Sequence, residues 1–353
     1  MRRPESGPGA DGWGGTPSGS ASNRCEAGQL VMTQMILVGL GAGFATALLF
    51  ASVASGSLLS ILLFYLAPLP ILIAALGWSH WSALIAALSA AAGLALFLGP
   101  FFFIAFLIGV GLPAWWLGYL ALLARPDAAA PDGFEWYPAG RLLFWAAILA
   151  AAIVIMAIPN FGLDEESFRG ALRRAFERVL RVQTRTAPEA PLSVPGVDAG
   201  RLIDLLVAVI PLAAAVVATI TNTVNLYLAG RIVKVSGRLR RPWPDLPAVR
   251  FPAYAPALLA GAIAVSFLPG LVGTIAGILS AALLMAYGLL GLAVLHTITR
   301  QTGARPFLLA TAYAAVFVFG WPMLAFIMLG LIDTIFDLRG RAARRTPPAP
   351  PVT

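Results

Sequence analysis

The sequence predicts an all-α protein: a polytopic transmembrane helix bundle of about eight or nine spans, with one amphipathic helix at the membrane interface. Three observations predict it. Of 353 residues, 59% are hydrophobic and only 11% charged, against roughly 45–50% and 25% in a soluble domain. The mean hydropathy is +0.85. Several unbroken apolar runs reach the roughly 20 residues with which a helix crosses a bilayer. Lipid is the solvent that tolerates such stretches, so the bilayer is the first partner the sequence implies.

Residues 1–34 are rich in Gly, Ser and Pro and lack both apolar periodicity and a signal-peptide core. They are expected to be a disordered leader, with natural translation starting at Met32 or Met35. Spans follow near 35–54, 57–77, 81–98 and 100–124. Their links are too short to recross the membrane, so 35–124 forms an up-down four-helix bundle. A polar link, 125–140, leads to a second membrane part, 141–338, which opens with a span near 142–159. Residues 160–200 form an extramembrane segment, followed by a span near 202–229 and a basic loop, 230–252. Two spans share 253–298, divided around Pro269-Gly270, and a last apolar stretch runs 306–336. Residues 339–353 are a basic, Pro-rich tail expected to be disordered.

Basic residues in short loops set orientation. Arg231, Lys234, Arg238, Arg240, Arg241 and Arg250 face one acid, Asp245, which assigns this loop to the cytoplasm. Counting back six spans puts the N-terminus there too. Nine spans would send the basic tail to the opposite side; eight, with one segment re-entrant, would keep it inside. Both counts stay open. The net charge of +8 comes from 24 Lys+Arg against 16 Asp+Glu, and its place in loops explains it by topology rather than nucleic acid, which is not an expected partner. The single cysteine, Cys25, excludes an internal disulfide and a cysteine-based metal cluster, and His80 and His296 are far apart. No metal and no cofactor are expected.

Four features are candidates for function. Gly39, Gly43, Ala47 and Ala51 recur every fourth position of the first span and align on one helix face. They serve either packing within the bundle or a docking ridge for another membrane protein. Phe168, Leu172, Phe176 and Leu180 form a narrow apolar stripe among arginines, as in a helix lying at lipid headgroups or covering a cavity. Thr219, Thr221, Asn222, Thr223 and Asn225 make the densest polar cluster near the bilayer. They must face the interior, either bonding helices together or binding a ligand. The aromatics around the fourth span, above all Trp115, Trp116 and Tyr119, form an interfacial belt or line a pocket. Asp333 and Asp337 share a helix face and are placed to pair with Arg339 or Arg341 in a salt-bridged helix end, with a proton relay as the alternative. Phosphate-cradling loops, zinc-protease motifs and nucleophile–histidine pairings are missing, so no catalytic residue is assigned and an enzyme is not expected.

Two stretches carry a resemblance. Asn225-Leu226-Tyr227-Leu228-Ala229-Gly230-Arg231-Ile232-Val233-Lys234, with Pro242, Pro244, Pro247 and Arg250-Phe251-Pro252 behind it, resembles the central segment of the YybS-like family of uncharacterised bacterial membrane proteins. The ending from Gly330 to Arg339 is similar to that family's C-terminal helix. The N-terminal bundle is similar in pattern to the substrate-binding subunits of energy-coupling-factor transporters, whose first helix docks a partner through small residues spaced four apart. It is also similar to rod-shape scaffold proteins of the cell envelope. The first likeness implies a non-catalytic transport component binding a small molecule in the membrane. The second implies a scaffold or assembly factor. A cavity lined by Asn222, Asn225 and the fourth-span aromatics would favour transport; a solid bundle with an exposed small-residue groove would favour scaffolding.

Overall fold

The computed structural model describes residues 19–130, 133–187, 192, 196–300 and 302–344. Apolar runs become helices because lipid offers the backbone no hydrogen-bond partners. The first half comprises α1 (Gly19–Ala51), α2 (Leu58–Tyr65), α3 (Pro68–Gly77), α4 (His80–Leu98), α5 (Phe101–Phe106) and α6 (Leu112–Leu122). α2 and α3 make one span, restarted by Pro68 at the first position of α3, where the missing N–H leaves no bond unmade. A π-helical turn over 107–111 joins α5 to α6 in the same way. Helix α1 begins at Gly19, so the latter part of the stretch expected to be a disordered leader is helical. Residues 1–18, with the rest of that leader, lie outside the described residues.

The polar link holds a small antiparallel ribbon, β1 (Ala124–Pro126) and β2 (Phe134–Trp136), in which Arg125 stands opposite Glu135 and ion-pairs with it. The second half comprises α7 (Ala139–Ala157), α8 (Glu165–Thr184), α9 (Ala199–Val235), α10 (Ala255–Ser266), α11 (Gly270–Ile298), α12 (Arg305–Phe319), α13 (Met323–Phe336) and α14 (Leu338–Arg344). The beginning of the tail is therefore helical, and 345–353 lie outside the described residues. Two hydrophobic cores result. The first is centred on Ile71, Leu72, Ala86, Phe106 and Leu117, the second on Phe144, Ile203, Leu283 and Tyr287. α7 and α9 serve both, with Leu142, Ala146, Ala229 and Val233 turned to the first and Phe144, Ala147, Ile203 and Val207 to the second.

Among the described residues, seven helical stretches are long and apolar enough to cross a membrane: Gly28–Ser55, Leu58–Gly77, His80–Leu98, Phe101–Leu122, Ala139–Asn160, Ala199–Val235 and Gly270–Ile298. This is a multi-pass membrane protein. α10, α12 and α13 have 12, 15 and 14 residues. That is about 18–23 Å of helix, against a hydrocarbon core of ~30 Å.

The short helices decide the topology. α10 leaves the basic loop and ends beside α8, where Gly270 lies next to Glu165. α11 then returns to the basic loop, where Arg300 pairs with Asp245 at 2.9 Å. The chain leaves again through α12, turns at Gly320 (φ 70°) and Pro322, and comes back through α13 to the same loop. There Arg339 donates to the Leu246 and Val249 carbonyls at 3.0 and 2.7 Å. The stretch 306–336, expected as one span, is thus a helical hairpin that starts and ends on one face. The basic loop, the start of the tail and, counting back, the start of α1 share that face, termed the basic face here. The far face carries α8. A membrane-impermeant thiol reagent checks this in a Cys25→Ser background. Ser236→Cys, Gly303→Cys and Arg341→Cys are expected to react from one side of the membrane and Asn160→Cys from the other. Reaction of Gly303→Cys and Arg341→Cys from opposite sides would refute the hairpin.

On the far face, Asp164 caps α8 by accepting from the Ser167 N–H at 2.9 Å. The Ser167 hydroxyl and N–H together hold the Asp164 carboxyl below the usual carboxylate range. The apolar stripe of α8 covers the protein's own second core rather than lipid. Phe168 and Leu172 are buried, and Phe176 and Leu180 pack against that core half-buried. Arg173 ties α8 to α9 through Asp204.

Candidate ligand-binding cavity at the basic face

Where the two cores diverge near the basic face, α7, α9 and α11 leave a cavity of about 560 Å³. Small residues make the room: Ala139 and Ala146 on α7, Gly230 on α9 and Ala293 on α11. Leu142, Leu143, Val224, Leu226, Leu289 and Leu292 give it apolar walls. The loop after α9 closes its basic end with Leu239, Arg241, Trp243, Pro244 and Leu246, and α12 adds Tyr313 at its flank.

Few polar groups converge on it. The Arg241 guanidinium donates to the Ala121 carbonyl at 3.1 Å and to the Tyr137 carbonyl at 3.2 Å. Its Nε–H is buried with no partner. No carboxylate pairs with Arg241 among the described residues, in contrast to Arg250, Arg300 and Arg339. Burial pushes its pKa below the ordinary arginine value, but an arginine keeps its charge in a protein. His296 Nε2 and the Tyr313 hydroxyl share a hydrogen bond of 2.8 Å, which links α11 to α12. Tyr227 meets Trp243 edge-on at 5.7 Å, and the cations of Arg231 and Lys234 stand 5.6 and 5.1 Å from the Trp243 ring. The mouth is therefore strongly basic and the interior apolar.

The residues singled out from sequence lie mostly elsewhere. Asn222 donates to the Ala146 carbonyl at 3.3 Å, joining α9 to α7 behind the cavity wall. Asn225 donates to Tyr65 and Thr221 carbonyls at 2.9 and 2.8 Å, while its own Oδ1 is buried without a donor. Thr221 thus contributes its carbonyl to an intrahelical bond. Of the polar cluster, Thr223 alone reaches the cavity. Trp115, Trp116 and Tyr119 form a stacked cluster that packs on the first core, with both indole N–H groups buried and unpartnered. They do not line the cavity. The small-residue face of α1 is used within the bundle. A Cβ at Gly39 would press on Ser82 and Ile85, one at Gly43 on Ala86 and Ser89, all on α4. Ala47 and Ala51 pack on the first core. That face is closed to a partner's helix by α4. Of the residues read as topology determinants, Arg231 and Lys234 stand by Trp243 and Arg238 lies over Trp78 at 4.4 Å. Arg240 is exposed, and Arg241 alone turns inward.

Sequence reasoning read Arg241 only as a topology determinant and passed over Trp243, His296 and Tyr313, all of which line the cavity. The available signal was Arg241-Pro242-Trp243-Pro244, where two prolines stiffen a basic aromatic turn directly after a span. A second hollow, about 340 Å³, lies under α8 near the far face between Val207, Leu212, Ser266 and Gly273. Its charged residues, Glu165 and Arg169, already pair with each other at 3.3 Å.

Residues 44–334 match a family described as "Predicted membrane protein (DUF2232)". Neither a curated protein nor a solved structure gives a match.

Proposed function

We propose that this chain, which belongs to the DUF2232 family of predicted membrane proteins, is a non-catalytic component of a membrane transport system. It binds a small molecule in the cavity between its two cores and draws energy from a separate partner. One observation carries this: the cavity of about 560 Å³ with apolar walls and few converging polar groups, lined by other residues than the expected Asn222, Asn225 and fourth-span aromatics. Its size falls in the ~300–1,000 Å³ range of small-molecule sites, and spaces between helices of a bundle are a common place for them. In this proposal the membrane is the inner membrane of a bacterium and the basic face is cytoplasmic, as the excess of arginine there favours. The role is like that of energy-coupling-factor substrate subunits, but the energising partner docks elsewhere than on the α1 ridge, which α4 occupies. A scaffold built on that ridge loses its docking surface for the same reason.

The test is to extract the full chain from native membranes in mild detergent and identify what accompanies it by mass spectrometry. A stoichiometric small molecule together with an ATP-binding-cassette ATPase is the expected result. Recovery of peptidoglycan or division machinery, with no small molecule, would overturn the proposal.

A further inference from the structure

Resting on the cavity proposed above as a binding site, we infer that its ligand is an anionic amphiphile: an acidic head, carboxylate or phosphate, at Arg241, and an apolar chain lying among the leucines below. Four observations converge. First, Arg241 is a largely buried cation without a carboxylate, held by two neutral carbonyls that leave its Nε–H unsatisfied. A buried guanidinium is costly until an anion completes its hydrogen bonds, and its fork geometry suits carboxylate and phosphate oxygens. Arg339, buried more deeply, already has its carboxylate in Asp333. Second, the interior below Arg241 offers apolar side chains, with Thr223, Tyr227, His296 and Tyr313 as the polar exceptions. A compact, fully polar metabolite would lose water there without replacement partners. Third, the depth fits. Arg241 follows the end of α9 at Val235, in a loop at the membrane boundary, while Val224 and Leu289 lie further into their spans. Head at the boundary and chain in the hydrocarbon is the orientation a lipid already has. Fourth, the cavity's flank faces the bilayer. Val224 and Tyr227 on α9 are exposed, as is Tyr313 on α12, and α12 buries no side chain of its own. A chain can enter sideways from the membrane past the His296–Tyr313 contact. Arg231 and Lys234 at Trp243 add positive potential that draws an acidic head to the mouth.

The test uses the full-length protein in nanodiscs of zwitterionic phosphatidylcholine, with bound species counted by native mass spectrometry. Probes are palmitate, lysophosphatidic acid, the neutral monopalmitoylglycerol, a soluble short-chain phosphate monoester and inorganic phosphate. One acidic amphiphile per chain is expected, with affinity at least about tenfold above the neutral one, as loss of a charge-assisted contact implies. Arg241→Gln should abolish that preference, and Arg241→Lys should retain part of it. Because Arg241 also braces two carbonyls, Ala293→Phe serves as a second variant. It fills the cavity without touching Arg241 and should remove amphiphile binding while the protein stays monodisperse. Palmitate and lysophosphatidic acid separate a free fatty acid from a phospholipid source. Equal binding of acidic and neutral amphiphiles would overturn the anionic head but leave a cavity ligand standing. Displacement of the amphiphile by the short-chain phosphate alone, or by inorganic phosphate, would overturn the apolar chain. Undiminished amphiphile binding by the Ala293→Phe variant would place it outside the cavity and sink this inference alone. If no probe binds and native extracts also yield no small molecule, the proposed binding role falls with it.

Discussion

Arg339→Ala is expected to be the most damaging single charge substitution in the chain, lowering stability by about 3–5 kcal/mol, the scale for breaking a buried ion pair from one side. Arg339 and Asp333 are each 3% exposed and pair at 2.7 Å. The Arg339 Nε donates to Asp333 Oδ2 at 2.9 Å and its backbone N–H to Oδ1 at 3.1 Å. The remaining donors hold the Leu246 and Val249 carbonyls. Truncation therefore strands a carboxylate and two carbonyls at once. Against a typical total of ~5–15 kcal/mol, that is a large share. Thermal unfolding in detergent, followed by loss of the monodisperse peak, measures it. Arg339→Lys should rescue little, because an ammonium cannot reproduce the planar fork. The exposed pair Arg250–Asp337 is the control: Arg250→Ala should cost about 1 kcal/mol or less. Equal effects at the two arginines would refute the buried clamp.

The second large effect is expected at Gly291. α11 and α13 approach so closely that a Cβ at Gly291 would overlap the Phe326 carbonyl, and one at Gly330 the Tyr287 carbonyl. Backbone cannot yield as a side-chain tip can. Gly291→Val should cost about 3 kcal/mol or more, at the upper end for overpacking. It should also separate the hairpin from α11, so that a cysteine at Ile327, whose side chain packs against Gly288 on α11, becomes more reactive to a lipid-soluble thiol probe. Gly261→Val on α10, where a Cβ meets open space, should be mild. A Gly291→Val protein as stable as Gly261→Val would show that α11 and α13 are not in this contact.

Much of the helical framework was legible because a run of about 20 apolar residues has few alternatives to helix in lipid. Pro269-Gly270 marked the break between α10 and α11 directly, and Gly270 adopts φ 87° there. The hairpin was less legible. Gly320-Trp321-Pro322 sits inside an apolar run long enough to cross once, and composition does not distinguish crossing from returning. What fixes the return is tertiary: Arg339 meeting carbonyls some ninety positions earlier. The stripe of α8 illustrates a related limit, since periodicity reveals an apolar face and not whether lipid or protein covers it. The polar cluster on α9 was correctly turned inward by the cost of amides in hydrocarbon, but Asn222 and Asn225 bond other helices while Thr223, one position on, reaches the cavity. Arg241 was hidden by company. Five further basic residues lie with it between 230 and 252, and charge alone does not single out the one that folding turns inward.

The clamp at Arg339 also orders the assembly of the molecule in time. During synthesis the Leu246 and Val249 carbonyls leave the ribosome about ninety residues before the guanidinium that satisfies them. Until it arrives, those two carbonyls lack the donor that holds them in the folded protein. The second core is therefore completed only after translation has passed the hairpin, whereas the first core, which draws on no residue beyond Leu239, has all its parts by then.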